Sequence, residues 1–168
     1  MNAVQRLMQA GASAVKIEGD THQVELIQHI VEAGVPVMGH LGLTPQSIHT
    51  LGGHRVQAKA DSDAEELIKG AKRLEAAGCF ALVVECIPTK LGACVAARVN
   101  IPSIGIGAGV HTDGQVLVLQ DLLGANPDFM PKFLRHYANN YADIKGAVNH
   151  FHEDVVAEAF PSPAESYR

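Results

Sequence analysis

Four polar residues close short apolar runs in this sequence: Lys16 and Glu18 in AVKIE, His40 in VPVMGH, and Glu85 in FALVVE. An apolar strand gains nothing from an ionisable end unless that end faces something that needs a charge. Side chains alternate between the two faces of a strand. Lys16 therefore shares a face with Glu18, Met38 with His40, and Ala81 and Val83 with Glu85. In parallel α/β folds the C-terminal strand ends carry the active site. All four residues sit at such ends, so they are expected to converge, with Glu85 placed to act as a general base.

Each has a structural reading beside the chemical one. Lys16 and Glu18 can form an ion pair at a strand end. His40 can be a capping or core histidine. Glu85 can pair with Lys90 across the following turn. The four at equivalent strand ends are harder to explain that way together. Cys86 follows Glu85, so it points to the opposite face and reads as core.

Other features carry weaker signals. Gly105, Gly107 and Gly109 alternate in SIGIGAG, which is not the G-x-G-x-x-G of a dinucleotide site; they leave room for a close backbone or ligand approach. His150 and His152 lie two apart on an expected helix and diverge. GGHRVQAK (52–59) reads as a loop with two cations, either surface or a cover for an anionic ligand.

The elements that must position these residues repeat. A helical stretch ends at Gly11, Gly34, Gly78 or Asn100, and a Val/Ile/Ala-rich strand follows. A residue just past a helix end often adopts the left-handed conformation, which glycine or asparagine tolerates. Ser62 and Glu65 have the spacing of a capping box. Ala64, Leu67, Ile68, Ala71 and Leu74 form one apolar helix face. LTPQS reads as a turn with Pro45 opening a helix. GQVLVLQ (114–120) reads as a fifth strand, and 127–160 as a C-terminal helical region.

Alternating helices and strands predict parallel βαβ units. The expected fold class is α/β, of the (β/α)8 TIM-barrel kind. About five parallel strands are present, corresponding to strands 4–8, with C-terminal helices: one domain over 1–168, an incomplete barrel. A full barrel takes about 250 residues. The chain has 168, is 47% hydrophobic and carries a net charge of −5. That charge argues against nucleic acid and anionic membrane as partners. No apolar stretch approaches the roughly 20 residues of a membrane-spanning helix, and the N-terminus lacks the pattern of a signal peptide. Three cysteines without C-x-x-C spacing point to a reducing compartment, with neither disulfides nor a zinc site.

The motifs VKIEG (15–19), GHLGLTPQS (39–47), LVVEC (82–86), IPSIGIGAG (101–109), TDGQVLV (112–118) and PKF (131–133) follow one another in order. Together they resemble the ketopantoate hydroxymethyltransferase family along the whole chain. The resemblance implies transfer of a one-carbon unit from the co-substrate methylene-tetrahydrofolate to the α-keto acid 3-methyl-2-oxobutanoate, giving 2-dehydropantoate for pantothenate biosynthesis. It implies a Mg2+ ion that grips the keto acid, with Glu18 as metal ligand. Lys16 is then the lysine that binds the keto acid, Glu85 the catalytic proton acceptor, and His40 an orienting active-site histidine. It also implies a homo-oligomer, commonly a decamer, in the cytoplasm, or in mitochondria if an N-terminal targeting segment precedes Met1. Two positions depart from the pattern: Asp20 replaces the second glycine of KIEGG, and Ala58 the glycine of VQG. The family's other magnesium ligands belong to strands ahead of the segment matching Met1. The chain therefore reads as the C-terminal part of that enzyme, with reduced activity alone, or as a non-catalytic oligomerisation remnant. A barrel lyase acting on α-keto acids is the remaining alternative.

Overall fold

The computed structural model describes residues 2–167. Five strands form one parallel sheet in sequential order: β1 (Val15–Glu18), β2 (Val37–Gly42), β3 (Ala81–Glu85), β4 (Ser103–Ile106) and β5 (Gly114–Gln115). Sequential order without a reversal is the arrangement of a (β/α) barrel, since a doubly wound sheet needs a switch point. The helices between them are α2 (Val24–Glu32), α3 (Asp61–Ala76) and α4 (Thr89–Ala96), with α1 (Asn2–Gln9) ahead of β1. A 3-10 turn, Pro45–Ser47, opens on Pro45 after β2, as LTPQS predicts.

The two faces of the sheet differ. Val15, Val37, Leu41, Leu82 and Val84 point to the helix side and join Ile27, Ile30, Leu74 and Val95 in one core. Each fully buried aliphatic side chain there contributes about 1.5–3 kcal/mol. On α3, Ala71 and Leu74 are buried, with Ala64, Leu67 and Ile68 packed against the core. The opposite face carries Lys16, Glu18, Met38, His40, Ala81, Val83 and Glu85. Strand pairing sets Glu18 beside His40 and His40 beside Val83, with Glu85 beside Gly42.

Three glycines end helices as expected, Gly11, Gly34 and Gly78 all having positive φ. Three other expectations are corrected. α4 ends at Ala96, and Asn100 does not have positive φ; its backbone and side-chain N–H groups donate to Glu75 instead. α3 starts at Asp61 with Ala60 as N-cap, and no side chain caps it. Ser62 is therefore already inside the helix, where its hydroxyl cannot close a capping box. The fifth strand is two residues long. After Gln115 the chain leaves the sheet, and Val116, Val118 and Leu119 are exposed.

The chain divides into two compact units, one ending at Val116 and one beginning at Leu117. The second holds α5 (Leu119–Leu122) and α6 (Asn140–Val156). Helix occupies only the second half of the C-terminal helical region expected over 127–160; the stretch before α6 is turns and loop. There the backbone N–H groups of Tyr137, Asn140 and Tyr141 donate to the carbonyls of Leu122, Leu123 and Gly124, closing the end of α5. Asn139 caps α6 through its side-chain oxygen.

Candidate functional site

All four strand-end residues meet, and His40 is the hub. Its ring is 1% exposed. On one side Nδ1 lies 3.4 Å from Lys16 Nζ and 3.7 Å from Glu18 Oε1. On the other, Nε2 lies 3.2 Å from Glu85 Oε2. Lys16 Nζ is also 3.7 Å from Glu18 Oε1. The pairing of Glu85 with Lys90 is not seen. The register explains the gathering: β1, β2 and β3 deliver side chains to neighbouring positions of one face, and Glu85 stands one pleat beyond Val83.

The chemistry of the hub follows from its donors. An ammonium can only donate, so Nδ1 accepts from Lys16 and the neutral ring carries its proton on Nε2. That proton faces Glu85. The distance is right for a hydrogen bond, yet the alignment is not, and Nε2 has no hydrogen-bond partner. A buried, unpaired N–H beside a carboxylate is a group awaiting a better-placed acceptor. The Glu85 carboxylate receives no hydrogen bond among the described residues, which leaves its two side-chain oxygens free; the backbone carbonyl accepts from Leu43 N–H, at 2.9 Å.

Glu18 is held differently. Its Oε2 accepts from the backbone N–H of Gln46, at 3.0 Å. Gln46 follows Pro45 in the 3-10 turn, where the first N–H groups have no internal partner and favour an anion. Sequence reasoning did not select Gln46: Pro45 marks a helix start, but Glu18 lies 28 positions away and only the fold brings the two together.

Next to the mouth the backbone is strained. Cys86 has φ 48° and Ala58 φ 51°, a region that costs a non-glycine residue about 1–2 kcal/mol. The two are linked, because the N–H of Gln57 donates to the carbonyl of Cys86, at 2.8 Å. Cys86 is buried, as the alternation predicts. Burial pushes its thiol pKa up and the Glu85 charge adds to the rise, so it is a poor nucleophile. The two positions that depart from the family pattern, Asp20 and Ala58, line a single cleft of about 330 Å³, together with Gly42, Thr44, Gln57 and Glu66.

Gly105 and Gly109 of SIGIGAG leave room for close packing, and Gly107 has positive φ. A side chain at Gly105 would meet the Thr112 hydroxyl at 2.6 Å. His150 lies 3.8 Å from Asp154 on exposed α6, and no set of three metal-ligating side chains occurs among the described residues. Magnesium is thus matched in donor type but not in number. Glu18 offers oxygen, the preferred donor, but it is one carboxylate with Lys16 and Gln46 already on it.

A sequentially ordered parallel sheet with acid, imidazole and ammonium at its C-terminal mouth defines a (β/α)-barrel type of protein. No helix among the described residues is long and apolar enough to cross a membrane. The family model for ketopantoate hydroxymethyltransferase matches residues 1–163, and the chain belongs to that family. A 3-methyl-2-oxobutanoate hydroxymethyltransferase of Bdellovibrio bacteriovorus is 52% identical, over 99% of this chain and 64% of that protein. One from Coxiella burnetii is 54% identical over 96% of this chain and 61% of that protein. A third, from Francisella tularensis, is 47% identical over 99% and 63%. The chain therefore spans less than two thirds of the length of these relatives.

Proposed function

We propose that this chain carries the proton-transfer and anion-binding part of a 3-methyl-2-oxobutanoate hydroxymethyltransferase of pantothenate biosynthesis. The observation that carries the reading is the His40 hub, with Lys16 and Glu18 on one nitrogen and Glu85 on the other. In this reading Lys16, 45% exposed at the mouth, binds the keto-acid carboxylate. Glu85 removes the proton from C3 of the keto acid. The electron pair left behind forms an enolate, whose carbon attacks the methylene carbon of methylene-tetrahydrofolate as one of that carbon's two C–N bonds breaks. Water supplies the hydroxyl group as the second C–N bond breaks, and the proton from C3 and one from water end on the two nitrogens of the departing tetrahydrofolate. His40 sits beside Glu85, with the proton-bearing Nε2 3.2 Å from its carboxylate, and orients the mouth around it. Glu18 is this chain's contribution to a magnesium ion, whose other ligands must come from outside these residues. Three free thiols suit a reducing cytoplasm.

Oligomerisation belongs to the same reading. Tyr141, Ile144, Val148, Phe151 and Val155 recur at three- and four-residue steps along α6, and all are exposed. That spacing is the seam of a helix that packs on another helix, and a second copy of this chain supplies one. Light scattering checks this: Ile144→Asp lowers the assembled mass, and an unchanged mass removes α6 from the interface.

That Glu18 stands without a second metal-ligating carboxylate beside it among the described residues favours a second reading, a non-catalytic fragment that serves assembly alone. Turnover separates the two. The chain is joined to the strands that precede this segment in the family and assayed for 2-dehydropantoate formation with magnesium and both substrates. Formation that Glu85→Gln abolishes supports the enzyme. A folded protein with no turnover supports the fragment.

A further inference from the structure

Asp20 sits two residues beyond Glu18, in the turn that leaves β1, and does three things there. Its carbonyl accepts the N–H groups of Gln23 and Val24, both at 2.9 Å, which starts α2. Its carboxylate accepts from Arg73 of α3 through Nε, at 3.0 Å, and through Nη2. Arg73 Nη2 also donates to Glu66, at 2.7 Å, so one guanidinium holds two carboxylates. The Asp20 carboxylate lies over Gly70, where a Cβ would come within 2.6 Å of Oδ2. A bare position on α3 therefore receives it.

The turn needs such an anchor. Gly19 has φ 87° and precedes Asp20, so the segment has little stiffness of its own. Gly19 N–H donates to the carbonyl of His40, at 3.0 Å. Glu18, Gly19 and Asp20 are thus tied in succession to the Pro45 turn, to β2 and to α3. A glycine at position 20 has no side chain with which to make the third tie. An isolated surface ion pair contributes little. This one is 20% exposed on the Asp20 side and 34% on the Arg73 side, and it is shared with Glu66.

We propose that Asp20 is a positioning residue: by tying the turn after β1 to Arg73 of α3, it holds Glu18 against Gln46 and the His40 hub. The role does not depend on which reaction the mouth performs.

The test is amide hydrogen exchange, read by NMR on the folded 168-residue chain. The Gln46 and Gly19 amides report on the site, because their acceptors are Glu18 and His40. The Leu82 amide, bonded to Pro102 in the sheet, reports on the whole fold. Asp20→Ala and Arg73→Met, which break the tie from opposite sides, are each expected to speed Gln46 exchange about tenfold or more, leaving Leu82 within about twofold. Asp20→Asn keeps an acceptor oxygen and should fall between. Unchanged Gln46 exchange in the variants that fold overturns the proposal. So does equal acceleration at Leu82, which would make the tie a matter of general stability. Failure of the hydroxymethyl-transfer reading leaves these amide rates untouched, so the two outcomes are distinguishable.

Discussion

The two ends of the sheet use similar groups to different effect. At the N-terminal end of β4, the Asp113 carboxylate accepts from the backbone N–H and the hydroxyl of Ser103, at 2.8 and 2.7 Å, and Ser103 is fully buried. Those donors hold the Asp113 carboxyl below its usual pKa. At the C-terminal end, the Glu85 carboxylate faces an imidazole N–H that it does not bond, and takes no other hydrogen bond among the described residues. A satisfied carboxylate closes a corner. One with free oxygens in a half-open mouth can take a proton. The difference follows the rule that the N-terminal face of such a sheet serves stability and the C-terminal face serves chemistry.

That comparison can be broken by exchanging losses between the two ends. In the completed enzyme, Glu85→Gln should lower kcat by about 10²–10⁴-fold, the usual contribution of a general base, with KM little changed and thermal stability nearly intact. An unchanged kcat would place Glu85 with Asp113 as a structural group. Lys16→Met should raise KM for the keto acid by about 10–100-fold, as expected for a charge-assisted hydrogen bond of about 1.5–3 kcal/mol. Steady-state kinetics with the keto acid varied checks it.

At the other end, Asp113→Asn should leave KM and kcat alone and lower Tm at pH 7 by about 2–5 °C. The sign with pH follows from the depressed folded-state pKa. The stabilisation is complete above the ordinary aspartate value of about 3.9 and is lost as pH falls through the lower folded value. The Tm gap between the two proteins should therefore narrow as pH falls below the ordinary aspartate value and close once the folded-state carboxyl is protonated. A gap that persists there would assign the effect to packing. Smallest of all, Ala58→Gly relieves a left-handed alanine and should stabilise the chain by about 0.5–1 kcal/mol, measured by urea unfolding.

The sequence revealed the chemical end more readily than the structural one. Strand alternation selected Lys16, Glu18, His40 and Glu85, because a period of two is local and needs no knowledge of the fold. Helix ends at Gly34 and Gly78 were legible for the same reason. The pair Ser103–Asp113 was not, since the partners are separated by the rest of β4 and an irregular loop that carries no periodic signal. GQVLVLQ reads as a strand by composition, yet only Gly114 and Gln115 pair with β4; tertiary context overrides local propensity. Likewise Ser62 and Glu65 match a cap, but the helix begins two residues too early for it. The role of Asp20 depends on Arg73, 53 positions away, and no local pattern announces it.

The account rests on Glu85 taking a proton from the keto acid at the mouth shared with His40. The direct measurement is deuterium incorporation at C3 of 3-methyl-2-oxobutanoate, followed by NMR in heavy water with the completed enzyme and magnesium, without folate. Wild-type protein should exchange that proton far faster than solution, and Glu85→Gln should return the rate close to the uncatalysed one. Exchange that proceeds equally well in Glu85→Gln would contradict the account.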